Sequence, residues 1–274
     1  MAHFVFFHVA PVVLSFFISF TEWKIKGDPL WIGLANYRQL VHDTVFRRAL
    51  LNTALFTVYF VPPMLAASLA LALLVNHQTR AAALFKTAYF LPVVTSFVVF
   101  ALIFGWIFQA GPNSLANKAL GQVGIRPQSW LQNEHQALPL LALLGILKGA
   151  GWNMVYFLAG LQAIPDTFYE AARVDGASRF AIFRRITLPL LRPTIYFVLV
   201  LTTIGAFQVF DSAYVLTGGG PAYATTTIVY FIYTQGFESF QMGYASASAY
   251  VLLLLVLLVT WIQKRYLGAV GDWY

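Results

Sequence analysis

Between two membrane-length apolar stretches the chain reads Ile164-Pro165-Asp166-Thr167-Phe168-Tyr169-Glu170-Ala171-Ala172-Arg173-Val174-Asp175-Gly176-Ala177. Thr167 and Glu170 have the spacing of a capping box, which predicts that a helix begins here. Gly176 can adopt the left-handed conformation that ends a helix, and Ser178 can cap a second helix that Pro189 then ends. The segment therefore predicts two short helices that meet at a glycine, a rigid knob that can fit a cleft in another protein.

The composition is that of a chain whose solvent is mostly lipid. Of 274 residues, 59% are hydrophobic and 10% are charged, whereas a soluble domain carries about 25% charged residues. The absence of cysteine excludes disulfides and thiolate metal sites, and the five histidines show no metal-ligand spacing. The net charge of +7 forms no basic tail for nucleic acid, and in a membrane protein such an excess more often sets topology.

Six apolar stretches approach the roughly 20 residues that a helix needs to cross the hydrocarbon core. We predict an all-α, polytopic membrane protein with a single transmembrane domain over residues 1–274. The predicted spans are about 3–20, 49–75, 82–109, 137–160, 193–216 and 244–263. Pro62-Pro63 and Pro92 lie inside spans, where neighbours or water can satisfy the freed carbonyls. They indicate kinked helices around a cavity, although Pro62-Pro63 also fits an ordinary packing kink.

Lysine and arginine in the loops predict the orientation. The loops 76–86 and 161–192 and the C-terminal tail hold nine of these residues against seven on the other side, and the loop 217–243 holds none. We therefore place 161–192 and the C-terminus in the cytoplasm. The chain enters its first span directly after Met1-Ala2, so we expect a membrane helix with a short or missing cytoplasmic lead-in, without the pattern of a signal peptide.

Several motifs resemble one family of transport proteins, over nearly the whole chain. The sequence resembles the EAA loop of permease subunits in binding-protein-dependent ABC importers. The residues that carry this likeness are Glu170-Ala171-Ala172, Asp175-Gly176-Ala177, Ile186, Leu188-Pro189 and Pro193. Three further segments resemble the carbohydrate-importer branch of that family. They are Trp31-Ile32-Gly33-Leu34-Ala35-Asn36-Tyr37, Phe210-Asp211 with Val215-Leu216-Thr217-Gly218-Gly219-Gly220-Pro221, and Gly243-Tyr244-Ala245-Ser246-Ala247. The likeness is greatest to maltose-type and glycerol-phosphate-type permeases.

The resemblance implies a type I ABC importer permease fold with a cytoplasmic coupling helix in the loop 164–193. It implies that this helix docks in a groove on a cytoplasmic ATPase subunit, with Glu170 near a basic residue there. The docking residues are then Glu170, Ala171, Ala172, Asp175, Gly176, Ala177, Arg179 and Phe183. The implied partners are a second homologous permease subunit, two ATPase subunits and an extracytoplasmic solute-binding protein, in a bacterial or archaeal cytoplasmic membrane.

The resemblance also implies that energy is released elsewhere. ATP and magnesium are expected on the ATPase subunits, so this chain is expected to bind no cofactor and to be no enzyme. The sequence agrees, since no G-x-x-x-x-G-K-[ST] motif occurs that could cradle phosphates.

Two helical faces form the predicted substrate pathway. In the fourth span, Gly149, Trp152, Asn153 and Tyr156 lie on one face, where the tryptophan offers a flat platform with room in front of it, or packs as an ordinary aromatic residue. In the fifth span the pathway residues are Thr202, Gly205, Ala206 and Val209, flanked by Gln208 and Asp211. The resemblance implies substrate contact for Gly149, Trp152 and the fifth-span face. Small residues there either widen a cavity or allow close helix packing.

Lys148 and Asp211 are ionisable residues near membrane depth, where an unpaired charge is expensive. They can pair across the cavity, or Lys148 can snorkel while Asp211 caps its helix. A single lysine argues against a doubly charged phosphate, for which arginine pairs are expected. The sequence therefore favours a di- or oligosaccharide, with glycerol-3-phosphate or a glycerophosphodiester as the alternative.

Other function classes fit less well. A stand-alone proton-coupled transporter needs intramembrane carboxylates, of which Asp211 is the plausible example, and it leaves the loop 164–193 without a role. An ion channel requires a repeated filter or charged rings, whereas Gly218-Gly219-Gly220 lies in a loop. An enzyme would need a nucleophile–base pair or a metal cluster. Taken singly, Glu170 fits a capping residue and the arginines fit topology, so the docking hypothesis rests on the whole spacing.

Overall fold

A computed structural model describes residues 2–25, 27–76 and 80–267, and 76% of these residues are helical. After a first helical turn, Ala2–Phe4, the helices are α1 Val5–Ile18, α2 Ala35–His42, α3 Thr44–Val75, α4 Arg80–Val94, α5 Phe97–Ile107, α6 Leu115–Gln122, α7 Ala137–Gln162, α8 Asp166–Val174, α9 Arg179–Leu190, α10 Arg192–Phe207, α11 Asp211–Leu216, α12 Ile228–Tyr233 and α13 Met242–Leu267. Strands β1, Thr21–Glu22, and β2, Leu30–Trp31, form a small antiparallel hairpin between α1 and α2. The prediction of an all-α fold is confirmed.

Within the described residues, three helices are long and apolar enough to cross a membrane: α3, α7 and α13. The number rises to five if the bent pairs α4–α5 and α9–α10 each form one span. α1 is apolar but shorter. The six predicted stretches therefore correspond to six helical units, two of which are bent pairs rather than straight helices.

The sharpest bend interrupts the predicted third span. α4 and α5 meet at 105°, and Pro92 lies in the last turn of α4, where proline removes a backbone donor and clashes with the preceding turn. Pro62-Pro63, by contrast, lie inside α3, which stays helical from end to end. The sequence therefore predicted a kink in the right span, but the break itself follows Val94 rather than Pro92, and its size was not predicted.

The predicted fifth span, 193–216, is wrong at its C-terminal end. α10 ends at Phe207, and α11 is a separate short helix. The prediction that Pro189 ends the second loop helix is also wrong, because α9 continues to Leu190. Pro189 occupies the first turn of the last α-helical segment of α9, where its missing N–H is tolerated. The change of direction comes after it, at 65° between α9 and α10.

Helix α7 is the centre of the packing and makes its most extensive contact with α3. One buried cluster joins Phe56 of α3, Leu141 of α7 and Ala206 of α10, and a second joins Val75, Phe157 and other residues of the same three helices. These clusters lie toward opposite ends of α7, and Leu65 of α3 packs against both.

α4 approaches α7 unusually closely. A Cβ atom on Gly151 would overlap the backbone oxygen of Tyr89, so glycine is required at this crossing. Small residues allow membrane helices to approach in this way. The first half of the bent span is thereby held against the helix that carries the predicted substrate face.

Candidate functional site

A cavity of about 570 Å³ opens between α3, α7, α10 and α11. Its lining includes nine of the ten predicted pathway residues: Gly149, Trp152, Asn153, Tyr156, Thr202, Gly205, Gln208, Val209 and Asp211. Ala206 is the exception, because it is 1% exposed and packs in the cluster with Phe56 and Leu141. Successive residues of a helix point about 100° apart, so the neighbour of the cavity-lining Gly205 faces the core.

The aromatic side chains of α7 are fixed by their neighbours. The indole Nε1 of Trp152 donates a hydrogen bond to the Tyr156 hydroxyl at 3.1 Å, and Phe90 of α4 stacks on the indole with ring centroids 6.4 Å apart. Tyr156 in turn meets Phe197 edge to face at 5.4 Å. Trp152 nevertheless keeps 53% of its surface exposed. It is an oriented aromatic surface at the cavity.

The two glycines of the cavity have different surroundings. A Cβ atom on Gly149 would lie 2.8 Å from the Met64 Cε, so the room expected in front of Trp152 is partly filled by a flexible methionine. A Cβ atom on Gly205 would meet nothing within 4 Å. Of the two roles considered for the small residues of α10, the widening of a cavity is the one that Gly205 fulfils.

Polar groups of the cavity link its two walls. The Asn153 Nδ2 donates to the Thr202 Oγ1 at 3.0 Å, which joins α7 to α10. Gln208 and Asp211 lie exposed at the end of α10 and the start of α11. The cavity thus combines aromatic surface with amide, hydroxyl and carboxylate groups, the mixture that orients a polar ligand in a concave site.

Other lining residues were not identified from the sequence. Phe56, Phe60 and Met64 come from α3, Phe97 opens α5, and Ser212 lies in α11. Their contribution depends on how α3 and α5 cross α7, which is set by long-range packing. The Pro62-Pro63 pair marked the relevant part of α3, but it gave no indication of which face turns inward.

Lys148 takes neither role considered from the sequence. Its Nζ donates to the backbone oxygens of Pro92 at 2.9 Å and Thr95 at 2.8 Å, and it lies 5.9 Å from the Phe100 ring centroid. No ion pair joins it to Asp211 among the described residues. The lysine instead contacts the corner between α4 and α5.

The knob, residues 164–193, has the helix–glycine–helix form that the sequence predicts. α8 ends in a Schellman motif, in which the Ala177 N–H donates to the Ala172 oxygen at 2.9 Å and the Gly176 N–H donates to the Arg173 oxygen at 3.1 Å. Gly176 has φ +72°, the left-handed conformation that glycine adopts at low cost. The Ser178 Oγ accepts from the Ala181 N–H and caps α9, as predicted.

The predicted capping box is wrong. α8 begins at Asp166 after Pro165, and no side chain caps its N-terminus, because the helix starts two residues earlier than the box requires. Glu170 is therefore free of a capping role. It lies on the exposed side of α8 and forms no salt bridge within the described part of the chain.

One side of the knob is anchored and the other is open. Tyr169 packs against the buried cluster of α3, α7 and α10, and its hydroxyl lies 3.4 Å from that of Thr187. Large apolar side chains remain exposed on the rest of the surface: Phe168 49%, Val174 88% and Phe180 70%. The other predicted docking residues comprise exposed Ala171, Asp175, Gly176 and Arg179 and half-buried Ala172, Ala177 and Phe183. Exposed apolar groups among charges are typical of an interaction surface.

A metal centre has no counterpart in the described ranges, where no group of three or more His, Asp or Glu residues could hold an ion. The described residues instead form two candidate sites, a cavity with polar and aromatic lining and the exposed knob. Helices α7 and α10, which flank the knob in sequence, also form two walls of the cavity.

Comparison with known proteins gives concordant matches. The family model described as "Binding-protein-dependent transport system inner membrane component" matches residues 48–268. The arabinooligosaccharides transport system permease protein AraP of Bacillus subtilis (strain 168) is 37% identical over 268 residues, 97% of this chain and 85% of AraP. The sn-glycerol-3-phosphate transport system permease protein UgpA of Yersinia pestis bv. Antiqua (strain Antiqua) is 37% identical over 243 residues, 86% of this chain and 80% of UgpA.

A solved structure shares the fold. A chain of the bacterial alginate ABC transporter, crystallised in complex with an alginate pentasaccharide-bound periplasmic protein, superimposes with a TM-score of 0.84. The alignment covers 96% of this chain and 89% of that chain at 24% sequence identity. The arrangement of helices is therefore common to both proteins.

Proposed function

The chain belongs to the family of binding-protein-dependent transport system inner membrane components, and we propose that it carries a di- or oligosaccharide across the cytoplasmic membrane. It is an ABC importer permease with the type I fold. The substrate is delivered by an extracytoplasmic solute-binding protein, and ATP hydrolysis takes place on partner subunits. A permease of a binding-protein-dependent family does not work as the stand-alone proton-coupled transporter considered from the sequence.

The composition of the cavity supports a neutral sugar. Trp152 and Tyr156 present aromatic surface, and Asn153, Thr202 and Gln208 present amide and hydroxyl groups. The described residues that line the cavity include no lysine and no arginine, while Asp211 contributes a carboxylate. A phosphate would be bound by cationic groups and repelled by a nearby carboxylate. The sugar therefore fits the lining better than glycerol-3-phosphate does. Glycerol-3-phosphate is the second candidate because the relative UgpA is named as a permease of its transport system.

The exposed knob carries the proposal of ATP coupling. Its Schellman turn and its Tyr169 anchor fix α8 to the membrane helices, so a force applied to α8 is passed to α7 and α10. Its outer side offers apolar and charged groups without internal partners. We place this side in a groove of an ATPase subunit, with Glu170 beside a basic residue.

The assembly that follows contains four membrane-associated subunits. This chain pairs with a second, homologous permease, and each permease receives one ATPase subunit. The knob and the C-terminus face the cytoplasm, which agrees with the arginines at 173, 179, 184, 185 and 192 and with the preference of cytoplasmic loops for basic residues.

The coupling proposal is tested with Glu170→Lys in the complete reconstituted transporter. Reversal of the charge at the docking surface should abolish ATPase association and ATP-driven uptake, and it should leave folding unchanged because Glu170 has no internal ion pair. Glu134→Lys is the matched control, since Glu134 is also exposed but lies outside the knob. Normal assembly and normal uptake with Glu170→Lys would refute the docking role.

The substrate proposal is tested by the ATPase activity of the same transporter with its binding protein. Neutral oligosaccharides should stimulate hydrolysis and glycerol phosphates should not. Trp152→Ala should raise the sugar concentration for half-maximal uptake about tenfold, through the loss of a stacking surface, while Trp106→Ala, an exposed tryptophan outside the cavity, should not. Stimulation by phosphorylated ligands alone would favour the second candidate.

A further inference from the structure

The corner between α4 and α5 creates a local shortage of hydrogen-bond donors. A helix end leaves its last carbonyls without intrahelical partners, and there is little water at membrane depth to replace them. The Thr95 hydroxyl donates to the Leu91 oxygen at 2.9 Å. The oxygens of Pro92 and Thr95 are taken by the Lys148 Nζ at 2.9 and 2.8 Å.

The Lys148 ammonium also requires these oxygens as hydrogen-bond acceptors. It lies near the middle of α7, the 26-residue apolar helix Ala137–Gln162, where an ammonium group is costly unless it is paired. No carboxylate forms a salt bridge with it within the described residues. Two carbonyls at the C-terminal end of α4, which carries the negative end of the helix dipole, and the Phe100 ring of α5 are its partners. The lysine and the corner therefore stabilise each other.

The bend also decides what surrounds the cavity. α4 packs extensively on α7, whereas α5 packs on α11 and places Phe104 against Leu140 of α7, nearer the other end of that helix. The first half thus brings Phe90 onto Trp152, and the second half begins with Phe97, which lines the cavity. Lys148 contacts both halves at once, from the same helix that carries Trp152.

We propose that Lys148 is a positioning residue for transport, whose ammonium holds α4 and α5 bent and so shapes the cavity wall around Trp152. Lys148 does not itself line the cavity, and its role does not require substrate contact. The predicted effect on uptake rests on the proposed function. The shape of the bent pair can be measured separately, whatever the substrate is.

The shape is measured with two spin labels on either side of the corner. The chain has no cysteine of its own, so Leu91→Cys and Trp106→Cys, at positions 63% and 64% exposed, can be labelled specifically in the assembled transporter. A straight helix would separate these positions by about 22 Å at 1.5 Å per residue. The bent pair brings them closer, which is detected as dipolar broadening of the EPR spectrum.

Lys148→Met should weaken the broadening and lower uptake by at least about tenfold, because two carbonyls lose charge-assisted hydrogen bonds. Lys148→Arg keeps charged donors and should retain both the broadening and most of the uptake. Lys118→Met, at an exposed position on α6, is the control and should change neither. Lys148→Met with unchanged broadening would overturn the inference even if uptake falls.

Lys148→Gln is the second variant, in case Lys148→Met fails to assemble. Its amide can donate to the same oxygens without a charge, so it should show less broadening and less uptake than Lys148→Arg. Equality of Lys148→Gln with the wild-type protein in both measurements would refute a role for the ammonium. A wild-type transporter that shows the broadening but takes up no sugar would count against the proposed function and not against this inference.

Discussion

The knob and the loop that follows α11 are both glycine-containing connections between membrane helices, but they use their polar groups in opposite ways. The threonine loop, residues 217–227, buries Thr225, Thr226 and Thr227 to 3% exposure or less. Their hydroxyls donate to backbone oxygens, and the Thr225 hydroxyl also shares a hydrogen bond with the Thr217 hydroxyl, all at 2.6 to 3.0 Å. The knob leaves most of its charged groups exposed and without salt bridges among the described residues.

The threonine loop satisfies its buried hydroxyls within the protein, whereas the knob leaves exposed charged groups available to a partner protein. The threonine loop is also held from α3, since the Asn52 Nδ2 donates to the backbone oxygens of Tyr223 at 2.7 Å and Thr226 at 2.9 Å. Buried polar groups satisfied in this way rigidify a structure. Substitutions in the threonine loop should therefore reduce stability, whereas those in the knob should reduce coupling.

The largest loss of stability is expected for Gly219→Ala. Gly219 has φ +78°, and an added Cβ atom would lie 2.5 Å from a Tyr230 ring carbon and 2.7 Å from the Thr226 Oγ1. Left-handed strain and overpacking together should lower the free energy of unfolding by about 4 kcal/mol, as measured by equilibrium unfolding in detergent. Gly218→Ala has similar backbone strain but ordinary contact, at 3.9 Å from the Tyr230 hydroxyl, and should cost much less. Equal losses for the two variants would show that the close packing is unimportant.

Asn52→Leu should have the next largest effect. Asn52 is 2% exposed, and its removal leaves two backbone oxygens of the threonine loop without their donor, at a cost of about 3 kcal/mol in unfolding free energy. Thermal and denaturant unfolding of the purified protein measure this loss. Asn113→Leu, at an exposed position, should change stability little. A small effect at Asn52 would mean that water replaces the amide and that the loop is more open than its burial indicates.

Gly176→Ala should have a smaller effect on stability and a larger one on coupling. An added Cβ atom at Gly176 meets nothing within 4 Å, so only backbone strain remains, about 1 kcal/mol. The altered turn should still misalign α8 and lower the uptake per ATP hydrolysed. Gly176→Asn should restore coupling, since asparagine tolerates the left-handed conformation better than alanine. Full coupling in Gly176→Ala would show that the turn need not be rigid.

The sequence predicted the knob better than the rest because its structure is local. Gly176 and Ser178 determine a turn and a cap within a few residues of themselves, and both were identified. Helical periodicity and the family resemblance indicated the faces of α7 and α10, and nine of the ten predicted pathway residues line the cavity. Ala206 packs in the core instead, because periodicity leaves the edge of a helical face undefined.

Long-range structure was not predictable in this way. The 105° corner after Pro92 depends on Lys148, which lies more than 50 residues away in the chain. The sequence analysis located the loop 217–243 without identifying the helices in it, which are α12 and a π-helical turn, Thr234–Glu238. Asn52 of α3 donates to the Thr226 oxygen, and the Thr53 hydroxyl accepts from the Ile228 N–H. No local sequence pattern predicts these contacts.

The central claim is that the knob faces the cytoplasm and docks on an ATPase subunit, and cysteine labelling tests it most directly. Val174→Cys, at a position 88% exposed on α8, is compared with Val123→Cys, at a position 71% exposed on the predicted external side. A membrane-impermeant maleimide should label Val174→Cys only from the cytoplasmic side, and bound ATPase should slow that reaction while leaving Val123→Cys unaffected. Labelling of Val174→Cys from outside intact cells, or at the same rate with and without the ATPase, would contradict the account.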